Sequence, residues 1–494
     1  MQLLSADAPS LPVHVGTRKQ LFLDVTLVQS RKGVTLTFNP PYLPKENLLP
    51  QDRPWEEVRA GAYSSLLEYN GAYHLWYASY GRKAPDIIDM GGPRFECYAV
   101  STDGIRWEKP NLGVVAFQGS TDTNIVRGFN FGQTFIDPFD DPSRRFKTIQ
   151  YQSPARGWYG WAPITKVRGG NTYLAYSPDG IHWDIEPRPV LPFYFGAPIS
   201  TVWAENLDKW VIYLRVNPDG HKTDPWGRHL AFGRVEVEKH KLAEPYAFTR
   251  DSNKKRNDFD SYGNPTYEFP IVFQTDDRDP DHQVYTLPVV RYLEADVYLA
   301  FPCMWYPNVA DNDDAQFAFS RDGITWQRPF RQPIVRLGMP GSGCEGYIDV
   351  THGMIRRGDE LWLYYTGLPE HHLADEVKWE SVFARAIYRL DGFISADGEY
   401  EGGELITRPM FFTGSTLELN LDTSAGGWAY VELQDESGEP IRGYTLKEAD
   451  KLNGNSVRMR VSWGAKLDLR GLAAKPVKIR FVLRNCKLYA FQFI

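Results

Sequence analysis

The sequence lacks the features that would assign the protein to a membrane or a nucleic acid. No run of 18 or more apolar residues is present, so no segment is long enough to cross a bilayer as a helix. There is no long basic run and the net charge is −7, which argues against nucleic acid and anionic lipid as partners. The N-terminal stretch MQLLSADAPSLPV has no basic segment followed by an apolar one. A signal peptide is therefore not visible, and a cytoplasmic location is expected.

Cysteines are few and widely separated. They are Cys97, Cys303, Cys344 and Cys486. Because none forms a Cys-x-x-Cys pair, neither a zinc site nor a disulfide framework is expected, and the thiols should be reduced. The adjacent pair His371-His372 is a weak metal signal without carboxylates around it. The residues alone thus predict no metal and no cofactor.

Helical periodicity is also missing, whereas aromatic residues are abundant. Aromatics make up 14% of the chain, with 15 Trp, and many lie in loop-like segments. Sugar-binding clefts use such rings as stacking platforms, and large β-sheet proteins also pack many of them, so both interpretations stay open. A chain of 494 residues is too long for one compact core, which indicates two domains or a large repeat array.

A short motif, Ser-x-Asp-Gly-Ile-x-Trp, occurs three times. The copies start at Ser101, Ser177 and Ser320, and their spacing predicts a degenerate copy near residue 248. An altered copy, RLDGFISADG, starts at Arg389. Glycine supplies the permissive backbone of a turn, and Asp and Ser can bond nearby amides. The motif is therefore interpreted as scaffold, with its Trp covering the junction with the next unit.

Each repeat has the same order of elements. An alternating strand leads through a hairpin into a second strand rich in aromatics, and a third strand ends in the motif. The five predicted hairpins are at Tyr69-Asn70-Gly71, Asp137 to Arg145, Asn206-Leu207-Asp208, Glu294-Ala295-Asp296 and Arg357-Gly358-Asp359. Five such units predict an all-β five-bladed propeller over residues 1–405, closed by a hairpin or strand at about 20–40. Alternating strands at wider spacing predict a β-sandwich over residues 406–494.

Several stretches resemble a known group of enzymes. They are FLD at 22–24, RPWE at 53–56, WEKPNLGVVAFQGSTDTNIV at 107–126, DPSRRFK from 141, SRDGITWQRPF from 320 and GDELWLYYTG from 358. With them the chain resembles the five-bladed propeller glycoside hydrolases of families 32, 43, 62, 68 and 117, and most of all bacterial family-32-like proteins. The resemblance implies a propeller with a C-terminal sandwich, a glycosidase activity, and a structural Ca²⁺ or Na⁺ at the axis.

The chain also departs from the pattern of that group. The Asn-Asp-Pro-Asn-Gly and Arg-Asp-Pro signatures of true fructanases are absent. The Glu-Cys acid motif is absent too, since Cys344-Glu345 has the reverse order. The residues therefore do not support fructan hydrolysis.

Candidate catalytic residues follow from propeller geometry, in which ligands bind where the innermost strands begin. Glycosidases need two carboxyl groups about 5–5.5 Å apart for retention, or about 6.5–9.5 Å for inversion, one of them protonated. Glu345 is the first choice, because Gly341, Gly343 and Gly346 let the backbone approach the axis. Glu56 is the second choice. For third place Asp281 competes with Asp277, from the acidic segment that enters the fourth unit, and Asp349 lies in the same entering segment as Glu345.

Predicted substrate-binding residues are aromatic rings, which suit the apolar faces of sugars, and cations, which suit hydroxyls or a carboxylate. They are Trp55, Arg59, Arg127, Trp158, Trp305 and His371. The leading hypothesis is an exo-acting hydrolase that removes a terminal, possibly furanosidic, sugar from an oligosaccharide or glycoside.

Two alternatives remain open. A sialidase-like hydrolase would need an Arg cluster, a Tyr-Glu pair and six units, where five are counted. A non-catalytic carbohydrate-binding propeller would show the aromatics but no convergent acid pair. The sugar, the linkage, the stereochemical outcome and the oligomeric state are left open.

Overall fold

The structure is a computed structural model of the chain. It describes residues 11–81, 94–128, 132–152, 171–191, 198–216, 230–246, 269–279, 282–307, 309–371 and 380–494. The regular elements within these ranges are β-strands and four short 3₁₀ helices, namely Pro54–Glu56, Pro142–Arg144, Leu293–Ala295 and Arg470–Leu472. The predicted all-β class is confirmed.

Four strands precede the repeats: β1 (Val13–Gly16), β2 (Gln20–Leu21), β3 (Val28–Lys32) and β4 (Val34–Phe38). Three antiparallel sheets follow in chain order. The first holds β5 (Arg59–Ala60), β6 (Ser65–Tyr69), β7 (Ala72–Tyr80), β8 (Arg94–Ser101) and β9 (Ile125–Gly128). The second holds β10 (Thr134–Ile136), β11 (Phe146–Gln152), β12 (Asn171–Ser177) and β13 (Asp184–Ile185). The third holds β14 (Ser200–Ala204), β15 (Lys209–Val216), β16 (Ala231–Glu238) and β17 (Ile271–Phe273).

The fourth sheet is divided into two consecutive parts. Its strands are β18 (Gln283–Thr286), β19 (Val289–Tyr292), β20 (Val297–Ala300), β21 (Cys303–Tyr306), β22 (Asn312–Ala315), β23 (Ala318–Ser320) and β24 (Trp326–Gln327). Pro288 and Pro302 lie where the ladder is interrupted, because proline has no amide hydrogen to donate. The fifth sheet holds β25 (Tyr347–Val350), β26 (Ile355–Arg357), β27 (Glu360–Leu368) and β28 (Val382–Arg389).

The five predicted hairpins are present. The strands that flank the expected residues pair antiparallel, namely β6 with β7, β10 with β11, β14 with β15, β19 with β20 and β26 with β27. Asn70 and Gly71 both have positive φ, 51° and 78°, as a two-residue type I′ turn requires. The copy of the motif expected near residue 248 lies outside the described residues.

Hydrogen bonds join the sheets into a closed ring. Each sheet bonds to its neighbour close to its first strands, except that the fourth sheet reaches the fifth through β22, and the fifth sheet bonds back to the first. The four contacts from the first sheet to the fifth are Thr134 N to Ser65 Oγ (3.1 Å), Thr201 N to Gln133 Oε1 (2.9 Å), Ser200 Oγ to Leu287 O (2.7 Å) and Asp313 N to Gly346 O (3.1 Å). The ring closes where His352 N donates to Ser64 O at 2.8 Å. The segments that lead into the first strands therefore meet at one end of the ring.

The repeated motif forms the predicted turn in all three copies. The serine hydroxyl accepts a hydrogen bond from the glycine amide at 2.8–2.9 Å, and the aspartate accepts two from the amides that follow. The glycine carbonyl then accepts a bond from an aromatic side chain of the preceding sheet in the ring. The pairs are Tyr364–Gly104 (2.7 Å), Trp76–Gly180 (2.7 Å) and Tyr213–Gly323 (2.8 Å). The motif thus fastens each sheet to the one before it. The prediction that the motif covers the junction with the next unit is wrong. The turn lies over the preceding sheet instead.

Gly180 offers a test of this role. Its φ is +78°, and a Cβ there would lie 2.5 Å from Cζ2 of Trp76. Gly71 has the same φ of +78° with nothing within 4 Å of a Cβ, and is the matched control. We expect Gly71→Ala to cost only the backbone strain, about 1–2 kcal/mol. Gly180→Ala should cost about 1–3 kcal/mol more, as overpacking does. Urea unfolding of both variants measures the difference, and equal losses would contradict the docking role.

The C-terminal residues form two larger sheets and, through β31, a two-stranded parallel sheet with β1. Their strands are β29 (Ile394–Gly398), β30 (Gly403–Thr407), β31 (Met410–Phe412), β32 (Leu417–Asp422), β33 (Trp428–Gln434), β34 (Asn455–Arg460), β35 (Lys478–Arg484) and β36 (Cys486–Phe493). One sheet has the order β34-β32-β36-β29-β4, and the other β3-β30-β35-β33. A buried apolar cluster that includes Leu419, Val431 and Phe481 draws side chains from both.

The N-terminal strands belong to these C-terminal sheets. β4 pairs with β29, β3 with β30 and β2 with β36. The expectation that residues 20–40 close the ring is therefore wrong for these strands. Residues 42–48 lie along the fifth sheet instead, where Tyr42 bridges Ile387 and Leu48 N donates to Phe383 O at 2.7 Å. Alternating apolar residues suit the edge of either kind of sheet, so the pattern could not choose between them.

Candidate active site

Two buried aspartates lie close to the end of the ring where the first strands begin. Asp349 lies in β25, the first strand of the fifth sheet, and Asp313 lies in β22 of the fourth. The hydrogen bond from Asp313 N to Gly346 O holds β22 against the residue that precedes β25. Asp349 is 2% exposed and Asp313 is fully buried. Two carboxyl groups from different sheets are thus brought together in a desolvated environment.

This environment favours a protonated Asp349. Burial raises the pKa of Asp349 to about 7, and the negative charge of Asp313 contributes to the rise. The Tyr63 amide, which donates to Oδ2 at 2.5 Å, and the charge of Arg59 act against it. Cys303 Sγ lies 3.8 Å from Oδ1. A substantial fraction of Asp349 therefore carries a proton near neutral pH.

Three tyrosines surround the pair. They are Tyr63 just before β6, Tyr285 in β18 and Tyr347 in β25. The hydroxyls of Tyr63 and Tyr285 are 2.9 Å apart, and the rings of Tyr285 and Tyr347 meet edge to face. Burial raises the pKa of Tyr63 to about 12 and those of Tyr285 and Tyr347 well above the usual value. The three phenols therefore stay neutral and can donate hydrogen bonds.

Two arginines stack on the tyrosines of this region. The Arg59 guanidinium lies 3.8 Å from the centre of the Tyr80 ring and 5.9 Å from that of Tyr63. The Arg215 guanidinium lies 5.1 Å from the centre of the Tyr285 ring. Arg59, predicted to bind substrate, is thus close enough to Asp349 for its charge to act on that carboxyl group.

Glu345, the first predicted catalytic residue, holds its own loop. Its Oε1 accepts hydrogen bonds from the amides of Gly341 and Ser342, the latter at 3.0 Å. Gly341 and Gly343 have positive φ, 85° and 77°. The other oxygen, Oε2, is buried with no hydrogen-bond partner in the described part of the chain. Glu345 lies two residues before β25, on the same segment as Asp349.

Glu56, the second predicted catalytic residue, lies against the second strand of the first sheet. It is fully buried, and its oxygens accept hydrogen bonds from Tyr77 Oη at 2.6 Å and Lys109 Nζ at 2.8 Å. Burial raises the pKa of Glu56, although the Lys109 charge opposes the rise. Within the described ranges Glu56 and Glu345 share no hydrogen-bond partner. Each of the two carboxylates is held by partners of its own.

The remaining predicted residues are dispersed. Trp55 is buried and donates to Asn124 Oδ1 at 2.9 Å. Arg127 is 2% exposed, is paired with Glu96 and lies 3.9 Å over the ring of Trp183. Asp277 is exposed, whereas Asp281 and Trp158 lie outside the described residues.

Trp305 and His371 are connected through Asp311. Trp305 is 1% exposed and donates to Asp311 Oδ1 at 2.8 Å, while the exposed His371 Nδ1 lies 2.9 Å from Asp311 Oδ2. Trp305 pairs with Asp313 across β21 and β22 and packs edge to face on Tyr285. Trp305 therefore lies beside Asp313, and His371 is linked to Trp305 through Asp311.

The aspartate pair was not selected from the sequence. Glu345 was preferred in the segment GMPGSGCEGYIDV because glycines flank it. The useful signal was strand alternation, since Tyr347 and Asp349 share one face of β25 while Ile348 and Val350 enter the core on the other. Asp313 stands in an acidic run, Asp311 to Asp314, that reads as a solvated loop. The position of Asp313 beside the site is evident only from its pairing with Trp305 in the folded chain.

No group of three or more His, Cys, Asp or Glu side chains in the described residues could hold a metal ion. None of the helices in those ranges has the length and apolar character needed to cross a bilayer.

Comparison with known proteins gives a likeness of fold. No protein-family model and no curated protein matches the chain. A solved glycoside hydrolase is similar with a TM-score of 0.46 and 12% identity, covering 70% of this chain and 92% of its own. The β-fructofuranosidase of family GH32 from Bombyx mori has a TM-score of 0.40 and 12% identity, covering 92% of this chain and 95% of its own.

The catalytic domain of a GH62 α-L-arabinofuranosidase from Coprinopsis cinerea has a TM-score of 0.41 and 12% identity, with coverages of 76% and 98%. These three solved structures are glycoside hydrolases.

Proposed function

We propose that the protein is a glycoside hydrolase in which Asp349 and Asp313 form the catalytic carboxyl pair. In this proposal the five sheets are the blades of a propeller, and the β-sandwich predicted at residues 406–494 also includes β29, β30 and the N-terminal strands. The observation that carries it is that Asp349 and Asp313, both buried, come from adjacent sheets that a hydrogen bond holds together, and burial beside Asp313 raises the pKa of Asp349 to about 7. Glycosidic bond cleavage requires two carboxyl groups, one of them protonated.

The chemistry assigns a different task to each carboxyl group. Protonated Asp349 donates its proton to the glycosidic oxygen as the bond to the anomeric carbon breaks, and the aglycone leaves as an alcohol. Ionised Asp313 supports the developing positive charge on the sugar and either takes a proton from the attacking water or attacks the anomeric carbon itself. Tyrosine hydroxyls around the pair donate to sugar hydroxyls. An exo-acting attack on a terminal, possibly furanosidic, sugar is the form of the reaction we favour.

Glu345, Glu56 and Asp281 remain predicted catalytic carboxyl groups from the sequence. Glu345 is tested first, because its position beside β25 is compatible with either a catalytic or a structural role. A panel of aryl furanosides and pyranosides, screened with the wild-type protein, first identifies a substrate.

We expect Glu345→Gln to keep turnover within about tenfold of the wild type, because the amide oxygen can still accept the two loop hydrogen bonds. Steady-state kinetics on the substrate found in the screen measures this. A loss of several hundredfold with an unchanged melting temperature would transfer the catalytic role to Glu345.

A non-catalytic carbohydrate-binding protein is the second candidate. The observation that favours it is that Glu345 and Glu56 are both held by structural partners. Binding of oligosaccharides without cleavage of any glycoside in the panel would support this candidate. Cleavage that depends on Asp349 would exclude it.

A further inference from the structure

A cavity lies between the outer strands of the third and fourth sheets, β17 and β24. It has a volume of about 370 Å³. Its lining includes Phe273, Asp276, Arg278, Trp326, Arg328 and Arg331. The cavity is of the size of small-molecule sites, and none of its lining residues belongs to the site proposed above.

Positive charge exceeds negative charge at this cavity. Three arginines, Arg278, Arg328 and Arg331, face two aspartates, Asp276 and Asp279. Asp279 Oδ2 accepts hydrogen bonds from both Arg328 and Arg331, and Asp276 accepts them from Arg278 and Arg331. One guanidinium charge is therefore left without a counter-charge within the cluster.

The excess charge is costly where the cluster is buried, at Arg328 and Asp279, whereas Arg278 and Asp276 are exposed. Arg328 is 6% exposed, and burial lowers its pKa to about 9, with the charges of Arg331 and Arg278 lowering it further. An anionic ligand in the cavity would supply the missing counter-charge. Guanidinium groups bind carboxylates with a matched pair of donors, which favours a carboxylate.

The other walls suit the rest of a sugar. Trp326 packs edge to face on Tyr213 and Phe273, and together with Phe273 it gives the cavity an aromatic side. Trp326 Nε1 and Arg331 Nε are buried donors with no acceptor among the described residues. Gln274 and Gln327 add amides that can bond hydroxyl groups. Aromatic rings beside amides and unsatisfied donors are the groups that bind carbohydrate rings.

We propose that this cavity binds a monosaccharide-sized hydroxylated carboxylate, the chemistry of a uronic acid. The carboxylate accepts a hydrogen bond from Arg331 Nε, which has no acceptor among the described residues, and lies beside the charge of Arg278. The ring lies against Trp326, and hydroxyls meet the two glutamine amides. This site is independent of the proposed hydrolysis, because its binding can be measured without turnover.

Calorimetry on the full chain at low salt tests the proposal. The probes are sodium galacturonate and glucuronate, with galactose, glucose and acetate as matched controls. We expect both uronates to bind. The neutral sugars, which lack the charge, and acetate, which lacks the ring, should bind roughly tenfold more weakly or not at all. A further probe is methyl galacturonide, the methyl glycoside of galacturonic acid. If it binds as well as galacturonate, the ligand is a residue of an oligosaccharide. If only unsubstituted galacturonate binds, the ligand is a small sugar acid.

Variants connect the binding to this cavity. Arg331→Gln should weaken uronate binding roughly tenfold, whereas Arg321→Gln, whose arginine pairs with Asp24 outside the cavity, should leave it unchanged. Uronate should alter the tryptophan fluorescence of the wild type, and Trp326→Phe, which keeps a ring but loses the N–H, should abolish that change. If Arg331→Gln fails to fold, Trp326→Phe still tests the proposal, because it leaves the ion pairs of the cavity intact. Equal binding of neutral sugars, of acetate or of the Arg331→Gln protein would overturn the proposal, as would no uronate binding at millimolar concentration.

Discussion

Asp349→Asn should lower kcat/KM by about 10²–10⁴ on substrates with poor leaving groups, since a positioned proton donor contributes about that much. Asparagine is isosteric and can still accept the hydrogen bond from the Tyr63 amide. The loss therefore reports on the missing proton, provided that the melting temperature of the variant does not fall.

The leaving group identifies the role of Asp349. A dinitrophenolate departs without protonation, so the variant should cleave dinitrophenyl glycosides far better, relative to the wild type, than methylumbelliferyl or alkyl glycosides. Asp313→Asn should impair all of these substrates alike, because its carboxylate acts on the sugar. An equal loss on every leaving group in Asp349→Asn would contradict its role as proton donor.

The pH dependence of activity and of stability gives a second test of the protonation of Asp349. The pKa of Asp349 is raised from 3.8 to about 7, so the proton-donating form is lost, and kcat/KM falls, as pH rises through 7. The folded protein also binds this proton more tightly than the unfolded chain does. The free energy of unfolding therefore decreases as pH rises from about 4 to 7. Both trends should be weaker in Asp349→Asn, whose amide does not titrate.

The repeated motif shows how far a local pattern can carry a prediction. Ser101, Asp103 and Gly104 satisfy their hydrogen bonds within four residues, so the turn is readable from the sequence alone. The acceptor for the Tyr364 hydroxyl is the carbonyl of Gly104, far away in the chain. No local signal specifies that partner, and the direction of docking could not be predicted.

The candidate site was predicted less well than the fold, for a related reason. Carboxylates in glycine-rich or acidic loops attract attention in a sequence, and Glu345 is such a residue. Its contacts show a carboxylate that holds two loop amides. Asp349 lies within a buried strand, where an ionised carboxylate is destabilising unless a partner or a proton offsets its charge. That cost depends on Asp313, Tyr63 and Arg59, three residues that only the fold brings near.

Lys109→Met should destabilise the protein by about 3–5 kcal/mol near neutral pH, because it leaves Glu56 as an unpaired buried charge. Glu56 is fully buried, and the Lys109 side chain is only 5% exposed. Removing the amine also leaves Asp52 Oδ1 and Pro50 O without the bonds that it donates. Urea unfolding measures the loss. Lys475→Met, at an exposed position, is the control and should be close to neutral.

The double variant Glu56→Gln/Lys109→Met separates charge from packing. With no carboxylate left to ionise, it should recover most of the stability, since a neutral pair of similar shape replaces the ion pair. The deficit of Lys109→Met alone should grow as pH rises above 4.5, the ordinary pKa of Glu56, because the buried carboxyl group of the folded variant keeps its proton longer than that of the unfolded chain. In Glu56→Gln, turnover should persist in proportion to the folded fraction. Full stability without turnover in that variant would instead make Glu56 a catalytic residue, as the sequence predicted.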